Sequence, residues 1–430
     1  MSRSRGIGFL EAASIGIGGM VGGGVFAVLG LAVSMAHGGT VVAFGIAGAV
    51  ALLTTYAYVK LSVTFPGQGG TVSYLNRAFG EGLATGALNV LLWLSYIIML
   101  SLYACAFGSY GATFFPDTAQ FVARHVLISG VILCIALLNM LSADVIGKAE
   151  DWIVGLKLLI LLVFVALGST GIEPARLAPS TWSSTVDLVA GGMIIFVAYE
   201  GFELIANAAG DIQDPTRTLP RAFYASVTGV ILLYLLIAAV TVGNLPLADI
   251  IAAKDYALAA AARPFLGQAG FALIAVAALL STASAINATL YGAARLSFVI
   301  ARDGELPKLL TKKVWNKPLE GLIITALLTL LIANSLDLSS ISTIGSAGFL
   351  IIFAAVNAAN VLLRETTGGA AWISAAAAAA CLGALAALIW RTVLDDPARL
   401  WVLGGMLGLA VLIEVGYRFV GGRVLNLFEK

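Results

Sequence analysis

Charged side chains are scarce: Asp, Glu, Lys and Arg make up 11% of the 430 residues, against 60% hydrophobic ones. Soluble domains of this size carry about 25% charged residues. This chain has too few to solvate a globular surface, which excludes a cytosolic enzyme. Neither sign is in excess, with 24 Lys and Arg facing 23 Asp and Glu. No basic surplus is left to neutralise a phosphate backbone, so nucleic acid is excluded as a partner. Histidine is rarer still: His37 and His125 fall near the ends of apolar blocks and form no cluster, and no metal is assigned. The three cysteines, Cys105, Cys134 and Cys381, lie in apolar stretches at spacings that fit neither a disulfide framework nor a zinc site. They read as small buried hydrophobes. No nucleophile stands beside a base, and the glycine patterns around Gly16 and Gly22 follow no strand, so neither catalysis nor a cofactor is expected.

Apolar runs are what the chain has in abundance. Blocks of about twenty apolar residues recur from end to end, each long enough to cross a hydrocarbon core of about 30 Å as a helix. Twelve are read, at 7–34, 40–64, 84–113, 126–142, 150–170, 186–210, 222–243, 268–298, 320–334, 338–363, 370–391 and 399–420. This predicts an all-α membrane protein of about twelve spans embedded in the lipid bilayer. Arg3 and Arg5 precede an apolar block without a cleavage site, so that block is expected to be the first span rather than a removable signal. With the N-terminus inside, seventeen of the 24 Lys and Arg fall on one side, among them Arg3, Arg5, Lys308, Lys312, Lys313, Lys317, Arg418, Arg423 and Lys430. Six, including Lys254, Arg391 and Arg399, fall on the other, and Lys157 alone lies inside a span. This bias of positive charge predicts that both termini, and the polar connection at 301–320, face the cytoplasm.

Two of the blocks are interrupted. The first contains GIGGMVGGGVF, residues 16–26, with six glycines in eleven positions. Each glycine in a helix costs about 1 kcal/mol relative to alanine, so the stretch is expected to unwind. A close-packing face of small residues is the other reading. Freed backbone groups at mid-bilayer survive only where they line a cavity or bind something. The sixth block, GGMIIFVAYEGFELIANAAGD at 191–211, sets Gly201 between Glu200 and Glu203 in otherwise apolar sequence. Acids so deep in a span are functional candidates. Interruptions five blocks apart are what an inverted five-plus-five repeat leaves in a sequence, here 1–170 and 186–363, with 370–420 as two peripheral helices. Half-helix N-termini would offer positive dipole ends to an anionic group, and exposed carbonyls would receive an ammonium, so a zwitterionic cargo is expected. Lys157 lies about 9 Å into the fifth block at 1.5 Å per residue. It either snorkels to the near face or serves as a desolvated amine that exchanges a proton, with Gly16, Ser281, Thr282 and Ser284 as candidate neighbours.

Residues 16–26 resemble the broken first helix of the amino acid/polyamine/organocation (APC) family. FVAYEGFELIANAAGDIQDPTRTLPRA, 196–222, resembles its sixth helix and the loop that follows, and ATLYGAARLSFVIARDGELPKLL, 288–310, the end of its eighth helix and a cytoplasmic loop. The resemblance implies a five-plus-five inverted-repeat fold, alternating access, and transport of amino acids or related amines across the cytoplasmic membrane, coupled to protons or by exchange. Carried over by position, the substrate carboxylate falls on backbone N–H groups of Gly22, Gly23 and Gly24, where many relatives have Gly, Ser, Gly. The amine falls on carbonyls near Met20, Val197 and Glu200. Relatives often have a bulky aromatic gate at the position of Val197; here Phe196 and Tyr199 stand beside it, and either ring is a candidate. Lys157 matches a fifth-helix lysine that, in some sodium-independent relatives, takes the place of a sodium ion, which implies proton coupling. Glu203 matches an acid of the family's sixth helix, with proton sensing and a helix–helix hydrogen bond as its two readings. Glu200 departs from the family pattern of a small or aliphatic residue. Facing a cavity it would favour cationic cargo; facing a neighbouring helix it would not bear on cargo.

The expectation is a secondary active transporter of amino acids, sodium-independent and proton-coupled through Lys157, with an exchanger of the same family as the alternative. Its partners are a small-molecule substrate, protons and lipid. A channel is disfavoured because it needs no broken pair of helices at the midplane.

Overall fold

The computed structural model describes residues 6–67, 69–141, 144–302, 304–306 and 319–421. Arg3, Arg5, Lys308, Lys312, Lys313, Lys317, Arg423 and Lys430, and with them most of the connection expected at 301–320, lie outside the described residues. The regular structure is helical, and among the described residues two isolated β-bridges occur but no strand. Between their end turns, helices satisfy their backbone groups within their own segment, which is what a hydrocarbon surrounding demands. In chain order they are α1 (Phe9–Met20), α2 (Gly24–Ala36), α3 (Thr40–Thr64), α4 (Gly70–Phe79), α5 (Leu83–Ala112), α6 (Asp117–Leu141), α7 (Asp144–Gly168), α8 (Thr185–Ile194) and α9 (Leu204–Asn207). There follow α10 (Pro215–Asn244), α11 (Leu247–Ala252), α12 (Ala257–Arg302), α13 (Leu319–Ser335), α14 (Leu338–Leu362), α15 (Arg364–Thr367), α16 (Ala371–Asp395) and α17 (Ala398–Gly421). Among the described residues nine helices are long and apolar enough to cross a membrane, or eleven when each of two bent pairs counts as one span.

Several boundaries differ from the sequence expectation for identifiable reasons. The fourth span begins at Asp117 rather than 126, because Gln120, Arg124 and His125 are carried on its outer turns, and Arg124 pairs with Asp255 at 3.7 Å. The eighth span belongs to a 46-residue helix with a kink at Gly267, whose φ of 63° suits glycine. The expected start at 268 falls at that kink. Helix α4 was not expected; its mixed sequence GTVSYLNRAF turns Val72, Tyr74 and Leu75 inward. Cys105 and Cys381 are buried as expected, whereas Cys134 is exposed on α6.

Burial sorts the helices into two layers. The apolar windows of α5 and α14 are 94% and 89% buried, against 22–28% for α6, α7, α16 and α17. The first two therefore run through the centre and the other four face lipid. Trp152, Trp372, Trp390 and Trp401 are all exposed on these outer helices. Trp372 and Trp390 stand at opposite ends of α16, about 27 Å apart along the axis, which suits tryptophans seated at the two interfaces of a core about 30 Å thick.

The chain entering α1 and the chain leaving α9 are laced together: Ile7 N–H donates to Asp211 O and Gln213 N–H to Ile7 O, both at 2.9 Å. The other end of the same pair is laced as well. There Gly38 N–H donates to Thr181 O at 3.3 Å and Ser183 N–H to Ala36 O at 3.5 Å.

Candidate functional site

Both interrupted stretches are broken. α1 stops at Met20, α2 starts at Gly24, and their axes differ by 45°. α8 stops at Ile194 and gives way to a 3-10 turn over Phe196–Tyr199, then to extended backbone at Glu200 and to Gly201 at φ 115°, with an axis change of 49°. A β-carbon added to Gly19 would lie 2.7 Å from Gly201 O, and one on Gly24 2.7 Å from Ala198 Cα. The two breaks therefore meet backbone to backbone. Unwinding and close packing, alternatives on the sequence alone, occur together.

The freed backbone groups are largely taken up by side chains from three other helices. The Tyr234 hydroxyl of α10 lies 2.7 Å from Met20 O and 3.2 Å from Ala198 O, so its one proton serves both breaks. Ser281 of α12 donates to Val21 O at 2.8 Å and also contacts Gly22 O. Ser342 and Ser346 of α14 donate to Ile194 O at 2.6 and 2.9 Å, and Val197 N–H donates to Ser346 Oγ at 3.0 Å. Buried carbonyls without such donors would each cost about 1–3 kcal/mol. The N–H groups of the first turn of α2, from Gly24 onward, have no acceptor inside the helix and point into the break.

Lys157 does not snorkel. It is 1% exposed, and its Nζ donates to Gly18 O at 3.2 Å. Gly16 packs elsewhere, its absent β-carbon filled by Ile205 and Ser226. Ser281 is engaged with the first break as described, while Thr282 donates to Ala278 O in its own helix and Ser284 is buried. Glu203 accepts from the Tyr96 hydroxyl at 3.1 Å and from Gly201 N–H at 2.8 Å, a helix–helix hydrogen bond joined to a local one. Glu200 is 3% exposed and lies beside Glu203.

The two candidate gate rings sit in aromatic clusters. Phe196 packs against Phe353 with centroids 5.8 Å apart, and Tyr199 against Tyr234 at 5.2 Å while donating to Phe44 O. Val197 rests against Gly345. The ring over the first break is one that the sequence reading missed: a β-carbon on Gly23 would meet Tyr103 Cδ1 at 2.3 Å. The signal was available. Tyr96, Tyr103 and Tyr110 recur every seven residues on α5 and so share one face, reaching Glu203, Gly23 and Phe26 O respectively.

Residues 7–411, which contain both breaks and all of these contacts, match the family described as amino acid permease. The chain belongs to that family. This permease is 36% identical to an uncharacterised protein of Methanocaldococcus jannaschii, over 85% of each chain. It is 35% identical to the inner membrane transport protein YbaT of Escherichia coli, over 84% of each chain. It is 26% identical to the branched-chain amino acid permease BcaP of Lactococcus lactis, over 83% of this chain and 81% of that one. The resemblance to the APC family is thus borne out, and the permease is a multi-pass membrane transport protein, not an enzyme.

Proposed function

We propose that this permease carries amino acids across the cytoplasmic membrane by alternating access, without sodium, in symport with protons exchanged at Lys157. The observation that carries the reading is the burial of the Lys157 ammonium against Gly18 O, in the last turn of α1 before the break. A charge-assisted hydrogen bond is roughly twice as strong as a neutral one. Loss of the proton therefore weakens the tie between α7 and α1 and frees the break to rearrange. Cargo lies between the two breaks, its carboxylate on the N–H groups of Gly22, Gly23 and Gly24, where the dipole of α2 is positive, once Gly22 N–H leaves Gly19 O, to which it donates at 3.3 Å. Its amine takes carbonyls near Met20, Val197 and Glu200, which requires Tyr234 to release Met20 O. Phe196, Val197, Tyr199 and Gly201 complete the second wall, and Glu203 senses protons beside Glu200. Residues 1–170 and 186–363 form the two inverted repeats, 370–420 the peripheral helices, and α13 the ninth of twelve spans, with both termini inside. The inner-membrane name of the E. coli relative supports the location, and the name of the L. lactis relative the cargo class.

The test is uptake of labelled amino acids into proteoliposomes under an imposed pH gradient. Lys157→Ala is expected to abolish the response to the gradient while substrate binding, followed by thermal shift, stays measurable. Full retention of the pH response overturns the role given to Lys157.

A further inference from the structure

The end of the bundle that carries Ser183, Lys254 and Arg399 holds a cavity of about 360 Å³. It descends to Ile194, the last residue of α8 before the second break. Its volume falls within the range of about 300–1,000 Å³ usual for small-molecule pockets. The charges that border it are unequally matched. Arg391 pairs with Asp187 at 3.2 Å and Asp395 at 3.0 Å. Arg399 pairs with Asp396 at 3.3 Å and donates to Ser339 Oγ at 2.9 Å. Asp337, which feels the Lys254 charge, is already held by Ser340 and Arg399. Lys254 itself has no carboxylate within 4.0 Å of its ammonium and no side-chain hydrogen bond among the described residues. The Ser183 hydroxyl on the same cavity is buried, and it too lacks a hydrogen-bond partner among the described residues.

An ammonium and a buried hydroxyl, in a cavity whose carboxylates are already occupied, call for a small anion with oxygen acceptors. We propose that this cavity is a docking site for the carboxylate of the incoming amino acid, held by Lys254 and Ser183 before the cargo passes Ile194 to the breaks. The proposal rests on the transport reading above and on the orientation that puts this end outside. A lone cation in a low-dielectric cleft raises the local concentration of anionic groups, and it does so less as salt screens it.

The experiment measures uptake kinetics of a zwitterionic amino acid added from the Lys254 side of proteoliposomes. Lys254→Gln is expected to raise KM about fivefold with kcat within about twofold, and Lys254→Arg to restore KM. Raising salt from about 20 to about 300 mM should raise the KM of the unaltered permease and leave that of Lys254→Gln unmoved. Ser183→Ala should raise KM in the same direction without a change in salt response. An amine analogue lacking the carboxylate should be indifferent to all three substitutions. A KM unchanged in Lys254→Gln, or an equal loss for the amine analogue, overturns the docking site while leaving transport intact. Absence of saturable amino acid uptake by the unaltered permease overturns the transport reading itself, and the docking site with it.

Discussion

Tyr234 sets one hydroxyl between two breaks that also meet backbone to backbone. Tyr234→Phe keeps the ring and removes the donor, leaving Met20 O and Ala198 O buried without it. The expected cost is about 1–3 kcal/mol, seen as a lowered thermal midpoint in detergent or nanodiscs. An unchanged midpoint would mean that water takes the place of the hydroxyl. The glycines of the first break were legible in the sequence because their helical cost is local and adds up over a short window. Tyr234, Ser281, Ser342 and Ser346 were not. They sit in apolar helices like any other residue there, and their partners lie 36–260 residues away in the chain. Only the heptad spacing of Tyr96, Tyr103 and Tyr110 announced a shared face.

Near the end of α17 stands Arg418, expected from the sequence on the cytoplasmic side; nothing in the sequence announces its burial. It is 1% exposed, pairs with the fully buried Glu414 one turn earlier, and donates to Glu81 O. The carboxyl of Glu414 fills the space a side chain on Gly86 would need, so α17 is pinned to the start of α5. Removing one partner of a buried pair costs about 3–5 kcal/mol, whereas an apolar pair of similar volume is often neutral. Arg418→Met is therefore expected to lower thermal stability sharply, and Arg418→Met with Glu414→Leu to recover most of it. At the start of α14, Asp337 caps the helix by accepting from Ser339 N–H and Ser340 N–H. Burial pushes its carboxyl up, but the Ser340 hydrogen bonds and the Arg399 charge outweigh that and hold it below its ordinary value of 3.8. A depressed carboxyl stabilises the fold above its unfolded value and loses that contribution as pH falls through the folded one. Asp337→Asn should thus lower the thermal midpoint at neutral pH, with the gap to the unaltered protein shrinking once pH drops below 3.8. A gap that persists in acid would assign the effect to packing instead.

For the bundle as a whole, hydropathy carried most of the architecture, since a hydrocarbon core sorts long apolar helices from everything else. It could not register α4, whose apolar residues are too few for a span, nor rank α5 and α14 as central, since lipid-facing and buried helices are equally apolar. Nor could it foresee the two clasps that join the first and sixth spans at their ends, because backbone hydrogen bonds leave no mark in side-chain composition. Under the alternating access proposed above, these clasps open one at a time. In a background with Cys134 replaced by serine, Ile7→Cys with Ile212→Cys, cross-linked through two disulfides by a short bis-methanethiosulfonate, is expected to stop uptake, and a thiol reductant to restore it by cleaving those disulfides. Undiminished uptake by the cross-linked protein would show that this end stays shut throughout the cycle.

The tryptophans at the two ends of α16 also make that helix a gauge of membrane thickness. In bilayers of short-chain lipid, Trp372 and Trp390 could both remain at the headgroups only if α16 leaned over. Through the Arg391–Asp187 ion pair, that lean would pull on the first half of the sixth span. Acyl-chain length thereby becomes a mechanical input to the permease, delivered through a helix that packs on α8.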